Sequence, residues 1–216
     1  MFTGIIEAVG EVAAVRDLGG GKQLSVRADF APDLHEDQSV SISGVCQTVI
    51  AVKGNQFDVV SVEETLLKTN MGALQPGSAV NLERSITPAT RLDGHLVQGH
   101  VDATGLITAV QKQTSSWLFT VSYEERYAAY LIPTGSIAVD GISLTVARLH
   151  EGSFTVAIIP YTFDHTIVRH WHEGSVVNLE FDVIGKYVAR WLERGDRSAA
   201  PDNISMDLLR STGFAK

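Results

Sequence analysis

The stretch SVSISGVCQTV holds Cys46, the one cysteine among 216 residues. A thiolate can attack an electrophile or bind a metal, and His95 and His100, in GHLVQGH, could exchange a proton near neutral pH. Each has a plainer role. A lone strand cysteine is often a small buried apolar group. Val45 and Gln47 flank it, with no cation nearby in sequence to stabilise its thiolate. His95 and His100 are five apart, which on a strand puts them on opposite faces. They make a poor chelating pair without a third ligand, and no metal site is expected. A hydrogen-bonding structural histidine fits the sequence as well as an acid or base does. Thr48, Thr65, Ser143 and Thr145 could be strand hydroxyls facing water. No P-loop, dinucleotide fingerprint or G-x-S-x-G elbow occurs, and LGGGK (18–22) reads as a flexible loop before a strand.

Ninety-seven residues after SVSISGVCQTV the chain reads SIAVDGISLTV, with Ser143 where Cys46 stood. The correspondence is general. GIIEAVGEVAAV (4–15) aligns with GHVDATGLITAV (99–110), VVSVEETL (59–66) with VAIIPYTF (156–163), and GSAVNLE (77–83) with GSVVNLE (174–180), at offsets of 95 to 97. This is a duplication. Positions that break it are where two halves could take different roles: Cys46 against Ser143, His100 against Ile5, and Phe2 and Thr3 against Val97 and Gln98.

Short runs rich in β-branched residues and broken by Gly or Asn (VSISG, QFDVVSV and AVNLER, with IAVDG, SFTVAII and VVNLEF) read as strands. Several strands within about 90 residues favour a small closed barrel over a βαβ unit. Helical segments are expected at 64–74, 124–131 and from Asp182 on, and a linker at SITPATRLDG (85–94). Ile184, Tyr187, Val188, Trp191 and Leu192 form one stripe of the last helix, suited to pairing with copies of itself rather than to packing on a barrel. The expected divisions are a first barrel at 1–90, a second at 91–182, an oligomerisation helix at 183–195 and a polar tail at 196–216.

With 44% hydrophobic and 19% charged residues the chain is that of a folded protein, and its net charge of −8 with dispersed charges argues against nucleic acid as a main partner. No basic, apolar leader and no run of 18 apolar residues is present, so the expectation is a cytoplasmic protein with no membrane partner. One cysteine excludes an intramolecular disulfide framework.

MFTGIIE, GVCQTV, GHLVQGHVD and GSIAVDGISLTV together resemble the riboflavin synthase family, enzymes of two lumazine-binding repeats, over Met1 to about Leu192. The resemblance implies an all-β fold of two tandem six-stranded Greek-key barrels plus a C-terminal α-helix. It implies a dismutation in which two 6,7-dimethyl-8-ribityllumazine molecules exchange a four-carbon unit. The products are riboflavin and 5-amino-6-ribitylamino-2,4-pyrimidinedione, and no metal or organic cofactor is needed. It also implies a homotrimer joined by C-terminal helices, with the site between the first barrel of one subunit and the second barrel of its neighbour. Some relatives associate with lumazine synthase, an association this sequence leaves open.

Carried over by position, the first ring is expected to meet Gly4, Ile5 and Ile6, then Cys46, Gln47 and Thr48, then Val60, Ser61, Val62, Glu63, Glu64 and Thr65. The second is expected to meet Gly99, His100 and Val101, then Ser143, Leu144 and Thr145, then Ala157, Ile158, Ile159, Pro160, Tyr161 and Thr162. His100 is the family's candidate for proton transfer; Cys46, Ser39, Phe2 and Asp182 match other positions that matter to activity, Phe2 by packing against a ring. Two positions depart from the family: Gln47 stands where Leu is common, adding a hydrogen bond or pointing outward, and Thr134, also expected to bind substrate, stands where many members have Lys, so that a charge contact is lost or supplied elsewhere. The rival reading is a non-catalytic lumazine or flavin carrier of the same fold. Such a carrier is expected to lose parts of GHLVQGHVD and GISLTV, which this chain keeps.

Overall fold

The computed structural model describes residues 1–198 and 210–212. In the first half, strands β1 (Ala8–Asp17), β2 (Gly21–Arg27), β3 (Ser39–Ile42), β4 (Val45–Lys53), β5 (Gln56–Val62) and β6 (Ala79–Arg84) close into an antiparallel barrel of order β1-β2-β5-β4-β3-β6. In the second half, β7 (Ala103–Lys112), β8 (Trp117–Ser122), β9 (Ser136–Val139), β10 (Ile142–His150), β11 (Ser153–Ile158) and β12 (Val176–Phe181) repeat that order. Closure removes the exposed edges that so many short strands would otherwise present. Period-two patterning decides what faces inward. On β5, Phe57, Val59 and Ser61 are buried while Val60 and Val62 are exposed; β11 buries Phe154, Val156 and Ile158 and exposes Ala157. Bulges recur at Val12/Ala14 and Val49/Ala51, and again at Ile107/Ala109 and Val146/Arg148, bending equivalent strands at equivalent points.

Each β5-like strand runs into a short helix, α1 (Glu63–Lys68) or α2 (Pro160–His165). The second was not legible as a helix: β-branched residues run up to Pro160, yet proline in the first turn starts the helix because its missing N–H has no partner there anyway. The expected helix at 124–131 is a 3₁₀ helix, Glu125–Tyr130. LGGGK is a tight hairpin corner, with Leu18 N–H donating to Gly21 O. The expected linker is only partly a connector, since just beyond it His95 N–H donates to Thr3 O and Phe2 and Val97 exchange both backbone bonds.

The barrels meet at their β3–β4 and β9–β10 turns. A Cβ on Gly44 would lie 2.7 Å from the Gly141 nitrogen, so only glycine allows this approach. Asn81 Nδ2 donates to Asp140 O and Asn178 Nδ2 to Ser43 O, equivalent bonds that cross the interface in opposite directions. Asp140, 2% exposed, accepts from Asn178 N–H, Trp171 Nε1–H and Asn70 Nδ2. Burial pushes its carboxyl up to about 7, against the pull of those donors.

Asp37 (φ 69°) and Thr134 (φ 61°) take the same left-handed turn in the two halves, each donating its N–H to β4 or β10. A β-branched residue there is strained by about 1–2 kcal/mol. Thr134→Gly should raise stability by about 1 kcal/mol, read as a higher denaturant midpoint at unchanged slope.

The last helix, α3 (Val183–Ser198), leaves Ile184, Tyr187, Val188, Trp191 and Leu192 exposed, Tyr187 and Trp191 by more than 70%. Within one chain the stripe does not pack on a barrel. Most of the expected polar tail lies outside the described residues.

Candidate active site

Two loops carry the site, and they cross between the barrels. Residues 2–6 precede β1, yet Gly4 O accepts from Ser143 N–H of β10 at 2.8 Å. Residues 97–101 precede β7, yet Gly99 O accepts from Cys46 N–H of β4 at 2.9 Å. Both glycines have φ of 78°, and a Cβ on either would fall 2.6 Å from the Cβ of Ser143 or Cys46. Each loop therefore completes the wall of the opposite barrel. Ile6 packs into the second core and Val101 into the first. The grouping carried over from the resemblance is corrected accordingly: Gly4, Ile5 and Ile6 belong with Ser143, and Gly99, His100 and Val101 with Cys46.

Buried carboxylates hold both loops. Glu83 on β6 accepts from Thr3 N–H (2.6 Å), Thr3 Oγ1 (2.7 Å) and Gly4 N–H (3.0 Å). Glu180 on β12 accepts from Gln98 N–H (2.6 Å), Gly99 N–H (2.9 Å) and His100 N–H (3.0 Å). Burial pushes both carboxyls above the usual range, and the N–H donors pull them back. Sequence reasoning assigned these two residues no role. The signal was the near-identity of GSAVNLE and GSVVNLE, whose Asn and Glu do the bonding described above.

In the first barrel Cys46, Glu64, Thr65, His100 and Val101 line one cleft of about 160 Å³, with Val45, Lys68, Thr69 and Gly99. Glu64 and Lys68 form an i,i+4 ion pair along α1, and Glu64 raises the Lys68 pKa. The equivalent positions of the second barrel are Ser143, Tyr161, Thr162, Ile5 and Ile6, with Tyr161 stacked on His165 at 4.0 Å. A thiol, an imidazole, a carboxylate and an ammonium thus gather on one side, opposite a hydroxyl, a phenol, a second imidazole and an aliphatic chain.

Thr48, Val60, Val62 and Glu63 on the first barrel, and Thr145, Ala157, Ile159 and Pro160 on the second, are outward and exposed at matching positions. Several expected residues are placed otherwise. Gln47 points inward, 5% exposed, accepting from the equally buried Ser61 and donating to Cys46 O, so neither Gln47 nor Ser61 presents its side chain to a ligand. Ile158 is fully buried in the second core, and Leu144 packs against that core half-buried. Phe2 is fully buried with Val97, Ala138 and Cys46, so its ring backs Gly99 rather than meeting a ligand ring. Ser39 faces Thr48 across β3–β4, and its carbonyl accepts from Ser85 N–H. Asp182 caps α3 through Ile184 N–H and, with Ser136 (the counterpart of Ser39), lines a groove beside that helix, apart from His100. Thr134 is tied to Val146 O near Thr145, but its hydroxyl turns back on Pro133 O.

The two histidines lie on a loop, not a strand. His100 is exposed in the cleft; His95 is buried, its Nδ1 2.7 Å from Ser143 Oγ, and burial lowers its pKa against the pull of Asp182. Among the described residues no group of three His, Cys, Asp or Glu could hold a metal ion, and no helix is long and apolar enough to cross a membrane.

The lumazine binding domain matches twice, at residues 3–85 and 98–182, the two barrels with their crossing loops. The riboflavin synthases of Actinobacillus pleuropneumoniae and Bacillus subtilis (strain 168) are 38% and 36% identical over 215 residues, covering 99% of this chain and 100% of theirs. That of Mycobacterium bovis is 42% identical over 195 residues, 88% of this chain and 97% of its own. The chain belongs to the riboflavin synthase family. Among solved structures, LumP complexed with riboflavin superposes with a TM-score of 0.78 over 84% of this chain and 99% of that chain; at 15% identity it shares the fold. The first-barrel cleft and the equivalent positions of the second barrel differ in the chemistry of their side chains.

Proposed function

We propose that this chain is a cytoplasmic riboflavin synthase that converts two 6,7-dimethyl-8-ribityllumazines into riboflavin and 5-amino-6-ribitylamino-2,4-pyrimidinedione, with the first-barrel cleft as the proton-transferring half of its site. The observation that carries this is the broken symmetry of the barrels: His100, Cys46, Glu64 and Lys68 gather at the first-barrel cleft, where the equivalent positions of the second hold Ile5, Ser143, Tyr161 and His165. A four-carbon unit passes from one substrate to the other, so atoms balance without oxidant, reductant or water. The reading needs no metal or organic cofactor, because one ring supplies a carbanion at its 7-methyl group and the other the electrophilic carbon. His100 serves the proton transfers from the wall of the cleft that it shares with Glu64. Thr48 and Thr145 offer hydroxyls, and the exposed Val60, Val62 and Ile159 an apolar bed, for ring edges and ribityl chains. Much of the acceleration comes from holding two reactive rings face to face, which can supply many powers of ten.

The first-barrel cleft, about 160 Å³, has room for one ring at most, and we assign the second ring of each site to the second barrel of another copy. The exposed stripe of α3 joins those copies as a homotrimer. Thr48→Trp blocks the first half and Thr145→Trp the second. Each variant alone should form no riboflavin, while co-expressed mixed assemblies should recover activity; mixed assemblies without recovery would place both halves in one chain. A carrier would form no riboflavin even as wild type. Cys46→Ser should keep the fold and part of the activity, since Cys46 is a half-buried wall with its N–H already committed to Gly99; an unfolded product, seen by circular dichroism, would make it a core residue instead.

A further inference from the structure

Each buried glutamate sits on the closing strand of one barrel but grips the loop that walls the other. Glu180 belongs to the second barrel, and its three N–H donors are those of Gln98, Gly99 and His100, whose loop bonds Cys46 of the first. Glu83 belongs to the first barrel, and it holds Thr3 and Gly4, whose loop bonds Ser143 of the second. Both carboxylates are at most 4% exposed, and each spans consecutive peptide groups around a glycine at φ 78°. A carboxylate is acceptor-only, so both oxygens can receive peptide N–H groups at once. A glutamine of the same shape would turn an NH₂ against one set of those donors. The loop, freed from that clamp, would lose the geometry that puts His100 at the first-barrel cleft and Gly4 against Ser143 of the second barrel.

We propose that Glu83 and Glu180 are positioning residues that act crosswise: Glu180 sets ligand affinity in the first barrel, and Glu83 sets it in the second. This rests on the reading that each barrel receives one lumazine or flavin ring. Riboflavin, which is bound but not turned over, is the probe, and the full chain is titrated while the amide resonances of Cys46 and Thr48 (first barrel) and of Ser143 and Thr145 (second) are followed by NMR. Glu180→Gln should raise the midpoint at Cys46 and Thr48 about tenfold, a loss of about 1.4 kcal/mol, and leave Ser143 and Thr145 within about twofold. Glu83→Gln should do the reverse. Midpoints that shift only in the variant's own barrel, equally in both, or in neither would overturn the proposal. Should Glu180→Gln fail to fold, Glu180→Asp, which keeps the charge but withdraws it by one methylene, is read the same way. Because riboflavin binding is measured without turnover, absence of the dismutation would leave the crossed pattern intact, so the two failures are distinguishable.

Discussion

Asp140→Ala is expected to cost about 4 kcal/mol of folding stability and roughly 10 °C in Tm, followed by calorimetry. The side chain gathers donors from both barrels: Asn178 N–H at 2.8 Å, Trp171 Nε1–H at 3.1 Å and Asn70 Nδ2 at 3.2 Å. An orphaned buried donor costs about 1–3 kcal/mol; the Trp171 and Asn178 groups bear the full cost, and half-exposed Asn70 can turn to water. The same residue sets a pH dependence. Its folded-state pKa, about 7, lies above the ordinary 3.8, so the native state holds a proton that the unfolded chain releases. Its contribution is fully present below about pH 4 and is lost as pH rises through 7. The wild type should therefore lose stability between pH 5 and pH 8 relative to Asp140→Asn, in which that titration is gone; a parallel pair of curves would contradict the assignment.

Gly99→Ala should be the most damaging single-methyl change to activity. The new Cβ would lie 2.6 Å from Cys46 Cβ and 2.9 Å from the Phe2 ring, at a φ of 78° that L-residues disfavour. Strain and overpacking together should remove about 3 kcal/mol of stability. The loop must also shift, and His100 shifts with it; a displacement on the order of 1 Å can lower turnover about a hundredfold. Gly4→Ala meets Ser143 in the same way and should instead weaken the second-barrel ring site. Steady-state kinetics beside riboflavin titrations separate the two, and near-normal turnover in Gly99→Ala would contradict the placement of His100.

The duplication was legible because aligned runs such as GSAVNLE and GSVVNLE, together with period-two strands, leave few alternatives to a pair of closed barrels. Cys46 and His100 stood out in the sequence because the halves disagree there, whereas Thr65, identical to Thr162, came only from the resemblance; the fold brings all three to one cleft. What stayed hidden has a common cause. Local patterning cannot show that residues 2–6 and 97–101 lean on the opposite barrel, since that depends on the packing of Gly44 against Gly141. Gln47 and Ser61 were expected as ligand contacts by position in the family, yet their mutual hydrogen bond lets the pair face inward. Phe2 read as a stacking partner, but the Phe2–Val97 bridge buries it. Helix α2 was masked by the β-branched residues before Pro160.

The most direct measurement is a mass balance on purified protein incubated with 6,7-dimethyl-8-ribityllumazine, separated by chromatography over many turnovers. The account predicts that riboflavin and 5-amino-6-ribitylamino-2,4-pyrimidinedione appear in equal amounts, with two lumazines consumed for each pair. Lumazine that binds and is recovered unchanged would contradict it, and would make the first-barrel cleft with His100 a chromophore site.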